Sequence, residues 1–193
     1  EDAAGGEIQS LLAAQNITAA LVAANDRQTT VKARFISGGQ QILRVDEEKT
    51  TAIAPDTEKE ILNWAGKYIA HVGAVILSDY KKGVLTDGVI KGVIALAKAA
   101  GVLVIVDPKD KNFVRYAGAD IITPNRKELE AATGKTAQSD SNVEEAARAL
   151  CAAHGFGAVL ATRSQAGMSY IDGAQALHIP ARVREIYDVS GAG

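Results

Sequence analysis

The sequence contains few of the residue types that mark specialised protein classes. Its 193 residues include one cysteine, one tryptophan and four prolines, and only 5% are aromatic. A single cysteine, Cys151, excludes a disulfide within the chain and is typical of a reducing compartment, so we expect a cytoplasmic protein. The sequence has no apolar run of about 18 residues and no basic-then-apolar leader, so it indicates neither a membrane span nor a signal peptide.

The chain also lacks an excess of charge of either sign. Its net charge is -2 and its pI is near 6.0, which gives no electrostatic footprint for nucleic acid or for an anionic membrane. His71, His154 and His178 are scattered without ligand spacing, so no zinc site is predicted. The 47% hydrophobic and 23% charged residues suit one globular domain. We therefore expect small-molecule ligands, with neither nucleic acid nor a membrane as partner.

From about residue 56 onward, helical and strand patterns alternate with short connections. This alternation predicts an α/β fold, with helices flanking a mostly parallel central sheet. Capping boxes are predicted at Thr57 with Glu60 and at Ser141 with Glu144, and Thr86 is a predicted cap. Buried strands are predicted at 73–78, 102–106, 120–123 and 158–162, and an antiparallel hairpin at 168–171 and 176–179.

The first fifty residues differ from the rest. Residues 29–47 alternate apolar and polar side chains around Gly38 and Gly39, which predicts a two-stranded ribbon. An isolated ribbon is marginally stable, so we expect it to act as a lid or a dimer contact. A helix at 7–15 and a strand at 18–23 are predicted with no strand before them. We therefore expect that an N-terminal part of the domain lies outside this chain.

Polar residues follow two of the predicted strands. Asp79 and Lys82 come after the first, and Asp107 and Lys109 come after the second. Open α/β sheets assemble ligand sites at the carboxyl ends of their strands, so we expect these residues to border one. The lysines suit phosphate groups as mobile point charges. The alternative for each lysine is a solvated loop residue.

Asn125 and Glu128 stand three residues apart at a predicted helix start. Both side chains therefore lie on one face, next to the positive end of the helix dipole. The pair resembles the Asn-x-x-Glu element of ribokinase-like kinases, and that resemblance implies a magnesium and phosphate region. The alternative is plain N-capping.

Small residues mark two further candidate loops. Thr162, Ser164 and Gly167 follow a strand, where the alternative is a tight hairpin approach that needs glycine at 167. At the end of the chain, Gly191, Ala192 and Gly193 predict a backbone cradle for negative oxygen. Asp188 precedes them, and a turn-stabilising aspartate is the alternative to a cation ligand there.

In this order the motifs resemble those of the ribokinase-like (PfkB) carbohydrate kinase family, over nearly the whole chain. Residues 188–193 match the second signature of that family, with Val189 and Ser190 in place of two threonines. Ser164 stands where the family usually has a glycine. The catalytic aspartate that follows the signature is absent because the sequence ends at Gly193. The resemblance therefore implies that this exact chain is inactive or nearly so.

Residues 34–46 and 77–83 resemble the D-glycero-β-D-manno-heptose 7-phosphate kinases within that family. The implied reaction transfers the γ-phosphoryl group of ATP to the anomeric hydroxyl of the sugar in ADP-heptose and lipopolysaccharide biosynthesis. Mg²⁺, a K⁺ ion and a homodimer through the ribbon are implied as well. The implied site comprises an anion hole (Gly191, Ala192, Gly193), nucleotide and phosphate contacts (Asn125, Glu128, Thr162, Ser164, Gly167, Lys109), substrate contacts (Arg34, Gln40, Asp79, Lys82), Mg²⁺ held through water (Glu128) and K⁺ (Asp188).

Two other functions fit the same residues. One is a ribokinase-like kinase for another sugar phosphate or a nucleoside, since substrate-reading residues come largely from the part of the domain expected to be missing. The other is a non-catalytic nucleotide-binding or dimerising module, because an anion cradle can act without a catalytic base.

Overall fold

The computed structural model of the chain describes residues 2–181. A two-stranded antiparallel ribbon precedes a six-stranded sheet with helices. The strands are β1 Val31–Ser37, β2 Gln40–Glu47, β3 Ala74–Ser78, β4 Leu103–Asp107, β5 Ile121–Ile122, β6 Ala158–Thr162, β7 Met168–Asp172 and β8 Ala176–Ile179. The α-helices are α1 Ala3–Ala14, α2 Pro55–Tyr68, α3 Asp87–Ala100, α4 Arg126–Thr133 and α5 Asp140–His154.

The sheet has its strands in sequence order, β3-β4-β5-β6-β7-β8. Strands β3 to β6 are parallel, and β7 and β8 add to β6 as an antiparallel hairpin. Parallel neighbours require crossover connections: α3 joins β3 to β4, a segment with the short 3-10 helix Phe113–Tyr116 joins β4 to β5, and α4 with α5 joins β5 to β6. The predicted α/β fold with a mostly parallel sheet and an antiparallel hairpin at one side is confirmed.

The core lies between the central strands and the helices. Val104, Val106, Ile122 and Val159 are fully buried, as expected for parallel strands covered on both faces. Helix α3 contributes one apolar stripe with helical spacing, and each valine or isoleucine in it stabilises the fold by roughly 1.5–3 kcal/mol when fully buried. The buried residues of that stripe are Val89, Ile90, Val93, Ile94 and Ala97.

The predicted ends of α3 are confirmed. The Thr86 hydroxyl oxygen accepts a hydrogen bond from the Val89 amide at 3.1 Å, and Gly101 ends the helix in the left-handed region at φ 69°. Both features follow from local chemistry, because a threonine oxygen replaces a missing helical acceptor and glycine tolerates positive φ.

Both predicted capping boxes outside this helix were wrong. Helix α2 begins at Pro55, and its N-cap Ala54 offers no side-chain oxygen. Proline fits the first helical position because its fixed φ is helical and its missing N–H has no partner there, so the helix starts before Thr57. Helix α5 begins at Asp140, since the Ser139 hydroxyl accepts from the Asn142 amide at 3.2 Å and caps the helix two residues before Ser141.

The N-terminal elements also differ from the prediction. Helix α1 begins at Ala3 instead of residue 7, because the Asp2 carboxylate accepts from the Gly5 amide at 2.8 Å and caps it. The strand predicted at 18–23 was wrong: this segment forms neither helix nor strand and pairs with no strand among residues 2–181. Its Leu21 side chain is about half exposed. No helix within residues 2–181 is long and apolar enough to cross a bilayer.

The predicted ribbon is confirmed, with positive φ at both Gly38 and Gly39. Its two faces differ chemically. One face places Phe35 opposite Leu43, with 55% and 53% of their surfaces exposed. The other face places Arg34 directly opposite Arg44. The ribbon therefore presents one apolar surface and one charged surface, on which Asp46 pairs with Lys32 and Arg44.

Candidate functional site

The carboxyl ends of the parallel strands lie side by side, as their registers require. Asp107 at the end of β4 lies opposite Ser78 at the end of β3, and the Asp107 carbonyl accepts from the Asp79 amide at 2.9 Å. The Thr162 amide donates to the Pro124 carbonyl at 3.0 Å, and Asn125 forms an isolated parallel bridge with Thr162. Backbone pairing thus continues past the strands into the loops and brings their polar residues to one edge.

Asn125 and Glu128 form a complete capping box at the start of α4. The Asn125 side-chain oxygen accepts from the Glu128 amide at 3.0 Å, and a Glu128 oxygen accepts from the Asn125 amide at 2.9 Å. The second Glu128 oxygen lies 3.6 Å from Lys109 Nζ. N-capping therefore occurs, yet it uses only one Glu128 oxygen and leaves the other beside a lysine at the strand ends.

Asp107 and Thr123 add further side-chain oxygen atoms at the strand ends where Lys109 and Glu128 lie. The Thr123 hydroxyl donates to an Asp107 carboxylate oxygen at 3.3 Å. Sequence reasoning placed Asp107 at the border of a ligand site without giving it a specific role, and it gave Thr123, which directly follows β5, no role at all. Within residues 2–181 no three acidic, histidine or cysteine side chains gather closely enough to hold a metal by themselves. Mg²⁺ usually binds through one or two carboxylates together with substrate phosphates and water, so Asp107 and Glu128 fit that ion.

Asp79 is buried, and its carboxylate already has several protein partners. The Tyr116 hydroxyl donates to one oxygen at 2.6 Å, and the Lys81 amide donates to the other at 2.7 Å. The Arg115 guanidinium lies 3.6 Å away. Burial, followed by the bond to Asp79, raises the pKa of Tyr116 far above its usual range, so its proton stays in place as a donor. These contacts give Asp79 a role in holding the loop after β3, and its predicted substrate contact stays a prediction.

Lys82 and the ribbon residues lie in a second group, at the base of the ribbon. Lys82 Nζ forms an ion pair with Glu48, just after β2, and the Lys82 carbonyl accepts from Arg27 at 3.0 Å. Arg34 and Gln40 are exposed on the ribbon itself. The structure therefore links Lys82 to the ribbon, whereas Lys109 contacts the capping box of α4.

The loop after β6 is tightly folded on itself. The Arg163 amide donates to the Gly167 carbonyl at 2.8 Å, and the Gly167 amide donates to the Ser164 carbonyl at 3.0 Å. Gly167 has φ +85°, and a Cβ atom there would lie 2.0 Å from the Ile179 carbonyl oxygen. The close hairpin approach proposed from the sequence therefore accounts for glycine at this position, whether or not the loop also binds a nucleotide.

Ser164 adopts a left-handed backbone conformation with φ +52°. An L-residue in this region is disfavoured by roughly 1–2 kcal/mol, whereas glycine pays only an entropic cost in the unfolded chain. We expect Ser164→Gly to raise the free energy of unfolding by about 0.5–1 kcal/mol. Urea titration measures the change, and Ser169→Gly, in strand β7, should lower stability instead; a loss at position 164 would contradict the expectation.

Four predicted site residues lie outside residues 2–181. They are Asp188, Gly191, Ala192 and Gly193. Their predicted roles in cation binding and in an anion hole stay predictions.

Comparison with known protein families gives a match over the whole chain. Residues 1–193 match the profile of the pfkB family carbohydrate kinases. The chain is 45% identical to the bifunctional protein HldE of Rhodospirillum rubrum and 45% identical to that of Caulobacter vibrioides, with 100% of the chain covered in both. It spans 39% and 40% of the lengths of these relatives.

Solved structures agree on the fold. Phosphofructokinase-2 from Escherichia coli in complex with potassium matches with a TM-score of 0.74 and 19% identity, covering 95% of this chain and 60% of that one. Arabidopsis thaliana ribokinase complexed with ribose and ATP matches with a TM-score of 0.56 and 20% identity, covering 76% of this chain and 46% of that one. Together with the profile match and the HldE relatives, the strand-end arrangement leads to one conclusion: the chain belongs to the pfkB family of carbohydrate kinases.

Proposed function

We propose that this chain forms part of an ATP-dependent sugar kinase acting on D-glycero-D-manno-heptose 7-phosphate. The reaction would transfer the γ-phosphoryl group of ATP to the anomeric hydroxyl and give the 1,7-bisphosphate, a step toward ADP-heptose and lipopolysaccharide. The observation that carries the proposal is the group of Asp107, Lys109, Thr123 and Glu128 at adjoining strand ends. The similarity to bifunctional HldE proteins supports a carbohydrate kinase of this family, and the resemblance of residues 34–46 and 77–83 to heptose 7-phosphate kinases favours the sugar.

The strand-end residues suit phosphoryl transfer because that chemistry depends mainly on positioning and on neutralising charge. Lys109 would draw the phosphates toward the start of α4, where helix-end amides also favour anions. Asp107 and Glu128 would hold Mg²⁺ through water, and the ion supplies charge neutralisation at the phosphate oxygens when bound. Thr162, Ser164 and Gly167 would contact the nucleotide from the neighbouring loop.

The ribbon would close over the sugar with its charged face. Arg34 stands directly opposite Arg44, and Arg44 pairs with Asp46 at 2.9 Å. The exposed Arg34 guanidinium would meet the phosphate of the sugar, because a planar guanidinium suits phosphate oxygens. Arg34 and Gln40 would contact the substrate, together with Lys82 at the ribbon base.

The apolar face of the ribbon suits a different partner, a second copy of the chain. Phe35 and Leu43 lie there opposite each other and more than half exposed. Burying such side chains against their symmetry mates would add the packing that an isolated ribbon lacks. We propose a homodimer through this face, which sedimentation velocity would detect as twice the monomer mass.

Three roles are proposed for the end of the chain. The amides of Gly191, Ala192 and Gly193 would stabilise developing negative charge, and Asp188 would contribute to a K⁺ site. The catalytic base would be an aspartate following Gly193.

A coupled ADP-release assay tests the proposed function on the protein that carries this chain together with its neighbouring segments. Heptose 7-phosphate should be turned over faster than fructose 6-phosphate or ribose under equal conditions. Faster turnover of either competitor would overturn the heptose assignment. Heat of Mg-ATP binding without turnover of any sugar would favour a non-catalytic module instead.

We expect Glu128→Gln to lower kcat/KM by roughly 10- to 100-fold, as is usual for a residue that holds a metal through water. Glutamine keeps the oxygen that accepts from the Asn125 amide, so the capping box persists while the charge is lost. Steady-state kinetics at several Mg²⁺ concentrations measure the effect, which should diminish as Mg²⁺ rises. Glu130→Gln makes the same charge change on the same helix, and an equal loss there would contradict the assignment.

A further inference from the structure

Arg163 is a buried arginine that directly follows Thr162 at the end of β6. Only 6% of its side chain is exposed. One guanidinium nitrogen donates to the carboxylate of Asp140 at the start of α5 and to the Ser169 hydroxyl, 3.0 Å away in β7. Burying a guanidinium costs several kcal/mol unless its partners compensate for lost water. These two partners therefore determine where the Arg163 side chain rests.

The contacts continue from Ser169 to the last strand of the sheet. Ser169 Oγ lies 2.8 Å from His178 Nδ1, and His178 Nε2 lies 3.2 Å from a carboxylate oxygen of Glu144. Ser169 is fully buried and stands opposite His178 in the β7-β8 hairpin. The network thus ties the first turns of α5 to both hairpin strands.

A serine, a histidine and a carboxylate in contact are also the components of a hydrolase catalytic triad, but the burial of Ser169 excludes that function. Ser169 has no exposed surface, so no acyl group reaches its oxygen. That oxygen also accepts a hydrogen bond from Arg163. A nucleophile must meet its substrate, so the network has a different role.

The backbone of Arg163 forms the base of the loop after β6. Its amide donates to the Gly167 carbonyl at 2.8 Å, and its carbonyl accepts from the Ala166 amide at 3.1 Å. The preceding residue, Thr162, is bonded through its amide to Pro124, next to the capping box of α4. Arg163 therefore connects a buried polar network on one side with the strand-end group on the other.

We propose that Arg163 is a positioning residue for nucleotide binding, and that Asp140 and Ser169 hold its side chain so that Thr162 and the following loop face the phosphates correctly. This inference rests on the proposed kinase function. The bond from Arg163 lowers the pKa of Asp140, so the carboxylate stays ionised at neutral pH and keeps its attraction for the guanidinium. Loss of either partner would leave the loop intact but free to shift.

The test compares KM for ATP with KM for the sugar phosphate in variants of the complete kinase. Arg163→Met, which keeps the apolar stem and removes the donors, should raise KM for ATP about 10-fold, since misplaced binding groups typically cost such factors. KM for the sugar should change less than about twofold, because the variant removes no sugar contact. Arg163→Lys should recover part of the ATP affinity, since a lysine reaches one of the two partners.

Asp140→Asn keeps the test decisive if Arg163→Met does not fold, because the Asp140 side chain is 59% exposed and tolerates the change. It should raise KM for ATP about threefold, because the variant removes one charge that acts on the loop only through Arg163. Glu145→Gln is the matched control: it removes an exposed carboxylate of the same helix, which pairs with Lys135 at 2.7 Å. It should leave KM for ATP unchanged.

The outcomes separate this inference from the proposed function. Unchanged KM for ATP in Arg163→Met, or in Asp140→Asn if Arg163→Met does not fold, in an enzyme that phosphorylates its sugar, would overturn the inference alone. A parent protein that neither binds Mg-ATP nor phosphorylates any sugar would overturn both. Equal rises in KM for ATP and for the sugar would mean that Arg163 only stabilises the fold, and would also overturn the inference.

Discussion

Replacing Gly167 by alanine is expected to destabilise the protein by about 3–5 kcal/mol, through backbone strain and a direct clash. The new Cβ atom would lie 2.0 Å from the Ile179 carbonyl oxygen and 2.6 Å from the Ala181 amide nitrogen. Both are main-chain atoms, one in the last residue of β8 and the other just beyond it, so neither can rotate away. With φ +85° and ψ -133°, Gly167 also occupies a backbone region that is essentially restricted to glycine.

The matched control for Gly167→Ala is Gly155→Ala. Gly155 ends α5 at φ +71°, and a Cβ atom there would meet nothing within 4 Å. Its substitution costs the left-handed strain alone, roughly 1–2 kcal/mol. Urea unfolding of both variants separates strain from clash. Equal losses of stability at the two positions would contradict the predicted contact with the Ile179 segment.

Removing the Asp79 carboxylate is the second large expected effect. Asp79→Ala would leave the buried Tyr116 hydroxyl and the Lys81 amide without their acceptor, and would remove a counter-charge of Arg115. Unsatisfied buried groups cost about 1–3 kcal/mol each and a broken buried ion pair costs more, so we expect a total loss of about 3–5 kcal/mol. Chemical denaturation measures this loss directly.

Two variants show whether burial causes the effect at Asp79. Asp87→Ala removes another carboxylate bonded to Arg115 at 3.0 Å, but the Asp87 side chain is 66% exposed. Its loss should cost less than about 1 kcal/mol, as for surface ion pairs. Tyr116→Phe removes the opposite partner, and a double-mutant cycle with Asp79→Ala should reveal coupling between them. Additive effects would show that the 2.6 Å contact contributes little.

Sequence patterns were most reliable where one local signal decided the outcome. Thr86 and Gly101 bounded α3 correctly because a hydroxyl acceptor and a glycine in the left-handed region act within one helical turn. The diglycine ribbon was predicted correctly for the same reason. Competing local signals caused the errors: Pro55 and Ser139 started their helices ahead of the serine and threonine that had been expected to do so.

The candidate site was only partly predictable from sequence. Lys109 and Glu128 were both identified, and their 3.6 Å contact follows from adjacent parallel strands. The Arg163 network was missed because its members come from α5, β7 and β8, and no short motif joins them. The hairpin centred near Gly173 does pair Ser169 with His178, and that register was the one available clue. Lys82 was grouped with the strand ends, whereas its partner Glu48 belongs to the ribbon segment.

The strand-end group and the neighbouring Thr162 come from segments that separate crossover connections bring together. Asp107, Thr123 and Thr162 become neighbours only when β4, β5 and β6 have all paired. A ligand held by these residues would bind the complete sheet and no partly folded form of it. Its binding free energy would therefore add to the cooperativity of folding, and the melting temperature would rise with the logarithm of ligand concentration.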